Sequence, residues 1–151
     1  MKKTVLFCVV FALVLSGLVS CQNKSEILRQ VKSCDYIVDD GTETLVSYSD
    51  ITITRNGNNE IEQLVETYSP DGILWFTLKN NEFIYTNDYT DDIKEKHEKT
   101  IESTAFSLVG KNSDDLIYEP KYDESGEIVE EMFSSKSGNY TAYKIVYEII
   151  K

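Results

Sequence analysis

Hydrophobic positions recur at two different periods along the chain, and the change between them marks its organisation. Ile51-Thr52-Ile53-Thr54 alternates apolar and polar, which turns one face of a strand toward a core. Tyr36–Val38 and Thr44–Tyr48 flank the turn-forming Asp39-Asp40-Gly41. Asn56-Gly57 is a strong hairpin signal and leads into a strand over Glu60–Tyr68, and Pro70-Asp71-Gly72 makes a further turn. Ile73–Leu78 is apolar at both parities, so it is expected in the middle of a sheet with cover on each side. Asn80-Asn81 then turns the chain into Phe83-Ile84-Tyr85.

After Tyr89 the period lengthens. Ile93, His97, Ile101, Ala105 and Leu108, with Thr104, fall on one stripe of a helix predicted over Asp91–Val109. Thr90 or Asp92 is placed to cap it, Asp91 suits its first turn, and Gly110 fits its end. Strands resume at Leu116–Tyr122, where Pro120 lacks an N–H and points to an edge or a bulge. Asp123-Glu124-Ser125-Gly126 turns into Glu127–Phe133, and Ser137-Gly138-Asn139 into a last strand carrying Tyr143, Ile145, Tyr147 and Ile149 on one face. The pattern predicts an α+β fold: an antiparallel meander of about eight or nine strands with one helix packed on the sheet. Asn58–Gly72 and Ser125–Gly138 share a turn feeding a strand that starts Glu-Ile. The second segment loosely resembles the tyrosine-rich hairpin repeats of bacterial surface proteins, and hairpin grammar alone accounts for the similarity equally well.

The N-terminus has a different layout. Lys2 and Lys3 precede an apolar run from Thr4 to Leu18, broken only by Ser16 and Gly17, and polar residues follow directly after Cys21. The run is too short for a spanning helix, which needs about 20 apolar residues, and suits a secretory signal. Leu18-Val19-Ser20-Cys21 resembles the lipobox of bacterial lipoproteins. That resemblance implies residues 1–20 are a cleaved signal peptide, cut between Ser20 and Cys21. It also implies a diacylglycerol on the Cys21 thiol and acylation of the freed amine with a fatty acid such as palmitate. The implied location is the cell membrane or the outer membrane, facing away from the cytoplasm. Residues 21–33 then read as a lipidated tether with a short helix, capped by Ser25 and carrying Ile27, Leu28 and Val31, and residues 34–151 as a single β-rich domain.

Charge narrows the function classes. Beyond Lys2 and Lys3 the chain has 13 basic against 26 acidic residues, a net charge of −13 from Cys21 onward. Such a surface is repelled by nucleic acid and by anionic headgroups, so a nucleic-acid partner is excluded, while a basic protein partner is compatible. With Cys8 in the signal and Cys21 lipidated, Cys34 has no partner for an internal disulfide.

Candidate chemistry is sparse. His97 is the only histidine, and His97-Glu98-Lys99-Thr100-Ile101 lacks the second histidine of a zinc helix, so a packed, hydrogen-bonded role on the apolar stripe is expected. Asp39-Asp40-Gly41-Thr42-Glu43 and Asn87-Asp88 with Asp91-Asp92 offer oxygen ligands for calcium, but not at the spacing of a calcium loop; turns and caps explain them. Trp75 is claimed by the core, whereas Tyr85, Tyr89 and Tyr140 flank turns and are candidates for an exposed aromatic surface. The expectation is a membrane-anchored, extracytoplasmic, non-catalytic binding or structural module without cofactor or metal, its sites being Cys21 for the lipid and Ser20–Cys21 for cleavage. The alternatives are an inhibitor or immunity-type lipoprotein using its acidic face against a basic enzyme, and, last, a carboxylate-based hydrolase.

Overall fold

A computed structural model of the chain describes residues 25–151. These form one antiparallel sheet of eight strands: β1 (Glu26–Asp39), β2 (Thr42–Arg55), β3 (Ile61–Tyr68), β4 (Leu74–Lys79), β5 (Glu82–Tyr85), β6 (Leu116–Tyr122), β7 (Ile128–Ser135) and β8 (Ala142–Ile149). Their order is β5-β4-β3-β2-β1-β8-β7-β6, so two meanders are joined where the first strand pairs with the last. One α-helix among the described residues, α1 (Asp91–Glu102), and the 3₁₀ turns Ala105–Leu108 and Ser113–Asp115 carry the chain from the β5 edge to the β6 edge.

Four expectations are corrected. Residues 26–33 are strand, not a tether helix, and the domain therefore starts at Glu26 rather than at Cys34. An isolated short helix is marginal, whereas β1 gains a ladder with β2 along its length and with β8 from Val31 to Val38. Thr44–Tyr48 and Ile51–Thr54 are parts of one fourteen-residue strand. Of Ile73–Leu78, Leu74–Leu78 lie in β4, next to the β5 edge and not central; their apolar cover comes from Phe83, Tyr85 and Tyr89 around Phe76. Finally, α1 stops at Glu102 instead of Val109. Thr104 leaves helical geometry, and Ala105 N donates to Thr141 O (2.7 Å) while Thr141 N donates to Ser103 O (3.2 Å), so the chain trades helix bonds for bonds to the approach of β8. Pro120 does lie on an edge strand, β6.

The hairpins show why the two segments look alike. Asn56 Oδ1 accepts from Glu60 N (3.0 Å), Asp123 Oδ1 from Glu127 N (3.0 Å), and Ser69 Oγ from Ile73 N (3.0 Å). Each loop places its fourth residue in the left-handed region: Asn59, Gly126 and Gly72. The same side-chain-closed turn thus occurs three times, twice around the first segment and once in the second, and turn chemistry suffices to explain the resemblance. The tight two-residue hairpins lie elsewhere, at Asp40-Gly41 and Asn80-Asn81, where both central residues have positive φ.

The register puts Val31, Ser33, Asp35 and Ile37 on one face with Ile51, Ser49 and Thr67 across β2 and β3, and with Ile149, Tyr147, Ile145 and Tyr143 on β8. This face carries the helix. The opposite face is polar: Lys144 sits in contact with Glu43 (2.6 Å) and Glu130 (3.8 Å), Lys121 with Glu130 (2.6 Å), and Lys32 lies over the Tyr48 ring. Cys34 is half-buried on that polar face, between Tyr48 and Val146, instead of in the core.

Candidate functional site

The upper end of the sheet is where Asp40-Gly41 joins β1 to β2, and the lower end is where β1 begins. Two bulges prepare the upper half of the helix face. Val46 on β2 and Trp75 on β4 are each left unpaired where the register slips, and both line a small cavity of about 240 Å³ beneath α1 with Ile93 and His97. Further across, Ala105 and Phe106 pack on Phe133, Tyr143 and Ile37. Between these contacts Asp35 is half-buried and accepts from Ser47 Oγ (3.1 Å) and from Tyr143; desolvation raises its carboxyl above the usual range, and the two donors oppose that. Ser49 and Thr67 satisfy each other at 2.9 Å.

Cover from α1 and the 3₁₀ turn is confined to that upper half. Below it, Val31, Ile51, Ile53 and Ile149 form the floor of a cleft of about 380 Å³, with Ile128 and Tyr147 along its walls. Arg29 and Glu127 close one side of the rim as an ion pair at 2.7 Å. Glu131 accepts from Tyr118 Oη (2.7 Å) and Tyr147 Oη (2.5 Å). Its carboxylate holds the Tyr118 phenol protonated, with a pKa raised to about 12, while burial first and Glu131 second raise that of Tyr147. Each polar group of the cleft is therefore committed to a neighbour, and what remains free is apolar surface. That combination suits holding an apolar group.

No protein-family model, curated protein or solved structure matches this chain. The site therefore rests on its own geometry.

The sequence-derived candidates fall in different places. Ser20 and Cys21 lie outside the described residues. His97 stands on the stripe as expected, with Nδ1 3.3 Å from Tyr89 Oη and its ring 5.4 Å from that of Trp75; burial lowers its pKa, against a smaller raising by Glu98. It is far from the cleft residues in the sheet and is not brought together with any acidic cluster: among the described residues no group of three or more His, Cys, Asp or Glu is arranged to hold a metal. Asp39–Glu43 forms a hairpin turn, and Asp91 and Asp92 occupy the first turn of α1, where Thr90 is the N-cap residue but makes no side-chain bond. Trp75 is buried. Tyr85 is exposed and stacks on Tyr89, but Tyr140 is packed against the Phe133–Tyr143 cluster and does not belong to an exposed aromatic surface.

The cleft itself was not singled out from the sequence. The alternation at Ile51 and Ile53 and at Tyr147 and Ile149 signals an apolar face on each strand. What no local pattern carries is that β1 lies between them, or that α1 covers one half only.

Proposed function

We propose that the protein is a lipoprotein held on the cell membrane or outer membrane by acyl chains on Cys21, facing away from the cytoplasm, and that its domain is a non-catalytic binding module. The cleft over Val31, Ile51, Ile53 and Ile149 carries the binding part of this reading: it is an apolar hollow on the sheet face whose other half carries α1 and the 3₁₀ turn, with a rim whose charges are already paired. The anchor part rests on Leu18-Val19-Ser20-Cys21 at the end of the apolar run. A site of this kind takes a small aliphatic group and uses the Arg29–Glu127 and Glu131–tyrosine pairs to shape its mouth.

Titration calorimetry with a linear alkyl probe such as decanol tests the binding part. Ile51→Asn places a polar amide on the floor and is expected to weaken binding at least about tenfold, which corresponds to ~1.4 kcal/mol. Ile73→Asn, in the turn at the upper end, is expected to leave it unchanged. Equal affinities for the parent and Ile51→Asn, or no heat from any of the three, would contradict the reading.

A further inference from the structure

The position of the cleft relative to the start of β1 carries a further step, which rests on the anchor and the cleft just proposed. We infer that the lower end of the sheet lies against the bilayer that holds Cys21, and that the cleft opening there receives a lipid acyl chain from it.

The tether sets the first limit. β1 begins at Glu26, five residues after Cys21, and five residues span at most about 18 Å even when fully extended. β1 itself has fourteen residues, roughly 46 Å at strand rise, so the lower end of the sheet is kept near the headgroups while the upper end is not.

The apolar surface of that end is the second observation. Ile61, Tyr122, Ile128 and Ile150 lie at or next to the lower ends of β3, β6, β7 and β8, and three of them are more than half exposed: Ile61 58 %, Tyr122 59 %, Ile150 60 %. Isoleucine and tyrosine side chains ringing a tethered end match the composition of a membrane interface, where the phenol keeps its hydroxyl in the headgroup layer. Ile128, the fourth of these residues, lines the cleft.

Charge selects the kind of bilayer. A domain carrying −13 from Cys21 onward gains nothing from anionic headgroups, so the contact is apolar and fits a zwitterionic surface. A single linear chain also fits the cleft's chemistry, since its floor is four aliphatic side chains and its polar groups are already paired with each other.

The test uses the full, processed chain in phosphatidylcholine vesicles, with and without bromine on the lipid acyl chains. Bromine quenches indole fluorescence only at close range. Ile128→Trp reports from the cleft wall and Ile73→Trp from the upper end; Tyr122→Trp is a second lower-end reporter if Ile128→Trp fails to fold. Each is compared with the parent, whose Trp75 is buried under α1. Brominated lipid is expected to remove at least half of the added signal of Ile128→Trp and none of that of Ile73→Trp. Protein that sediments with the vesicles yet shows no quenching at Ile128→Trp or Tyr122→Trp would overturn the docking while leaving the anchor in place. Equal quenching at both ends would overturn the orientation. Failure to sediment would overturn the anchor and the docking together. An unquenched lower-end reporter shielded in a dimer would assign the surface to a second copy of the chain instead.

Discussion

The indole of Trp75 and the imidazole of His97 lie 5.4 Å apart, tilted by 51°, and together they seat α1 on the sheet. Trp75 reaches the helix because a bulge leaves it unpaired on β4, and His97 reaches the sheet because it sits midway between Ile93 and Ile101 on the apolar stripe.

This contact makes His97 a source of pH-dependent stability. Trp75, Val46 and Tyr89 face it from the sheet and the turn before α1, and Lys96 and Glu98 flank it on its own helix. Burial lowers its pKa below the ordinary value of 6.5, so the unfolded chain binds the proton more readily than the folded one. Its contribution is full above pH 6.5 and is lost as pH falls toward the folded value. His97→Gln is expected to cost about 1 kcal/mol at pH 7.5 through lost packing. It is also expected to flatten the dependence of Tm on pH between 7.5 and 5.5. A parental pH profile in the variant would show that another group titrates there.

Ala105 tests the other contact between cover and sheet. It is fully buried against Phe133 and Tyr143, with Phe106 edge-on to Phe133 at 5.1 Å. Ala105→Leu adds three carbons where no space is left, and is expected to cost about 1–3 kcal/mol. Ala105→Gly removes contact without strain and should cost less. Denaturant unfolding of the two variants gives the comparison; a smaller loss for leucine than for glycine would mean the 3₁₀ turn lifts freely off β7 and β8.

Much of the architecture could be read from local patterns, because hairpins and helix stripes are local. Asp40-Gly41 and Asn80-Asn81 announce their turns, and the stripe from Ile93 to Leu108 identifies the residues that face the sheet even though the helix ends at Glu102. What stayed hidden depends on long-range pairing. Ile27, Leu28 and Val31 have helical spacing, yet they are strand because β2 pairs along this stretch and β8, more than a hundred residues later, joins β1 from Val31 onward. The four-residue strand β5 is the edge, so the apolar run of β4 lies beside it and not in the centre. The cleft was invisible for the same reason: Val31, Ile51 and Ile149 become neighbours only through the order β2-β1-β8, and remain uncovered only because α1 crosses the upper half.

Stability is expected to be independent of metal and of reductant. Cys34 stands alone on the polar face, and the acidic segments at Asp39–Glu43 and Asp91–Asp92 serve a turn and a helix start. The melting temperature should agree within about 2 °C with EDTA, with millimolar calcium and with dithiothreitol, a shift well below that caused by 1 kcal/mol in a domain this size. A calcium-dependent rise of several degrees would reveal a site in the native state, since ligand binding stabilises by mass action.

The lipid on Cys21 is the premise shared by the proposed anchoring and by the membrane-facing cleft, and mass spectrometry of the N-terminal peptide from protein extracted from membranes measures it directly. The predicted result is a chain that begins at Cys21 and carries the mass of a thioether-linked diacylglycerol, together with a Cys21→Ala variant that leaves the membrane fraction or stays unprocessed. A chain that begins elsewhere, or one that begins at Cys21 with an unmodified thiol, would contradict it.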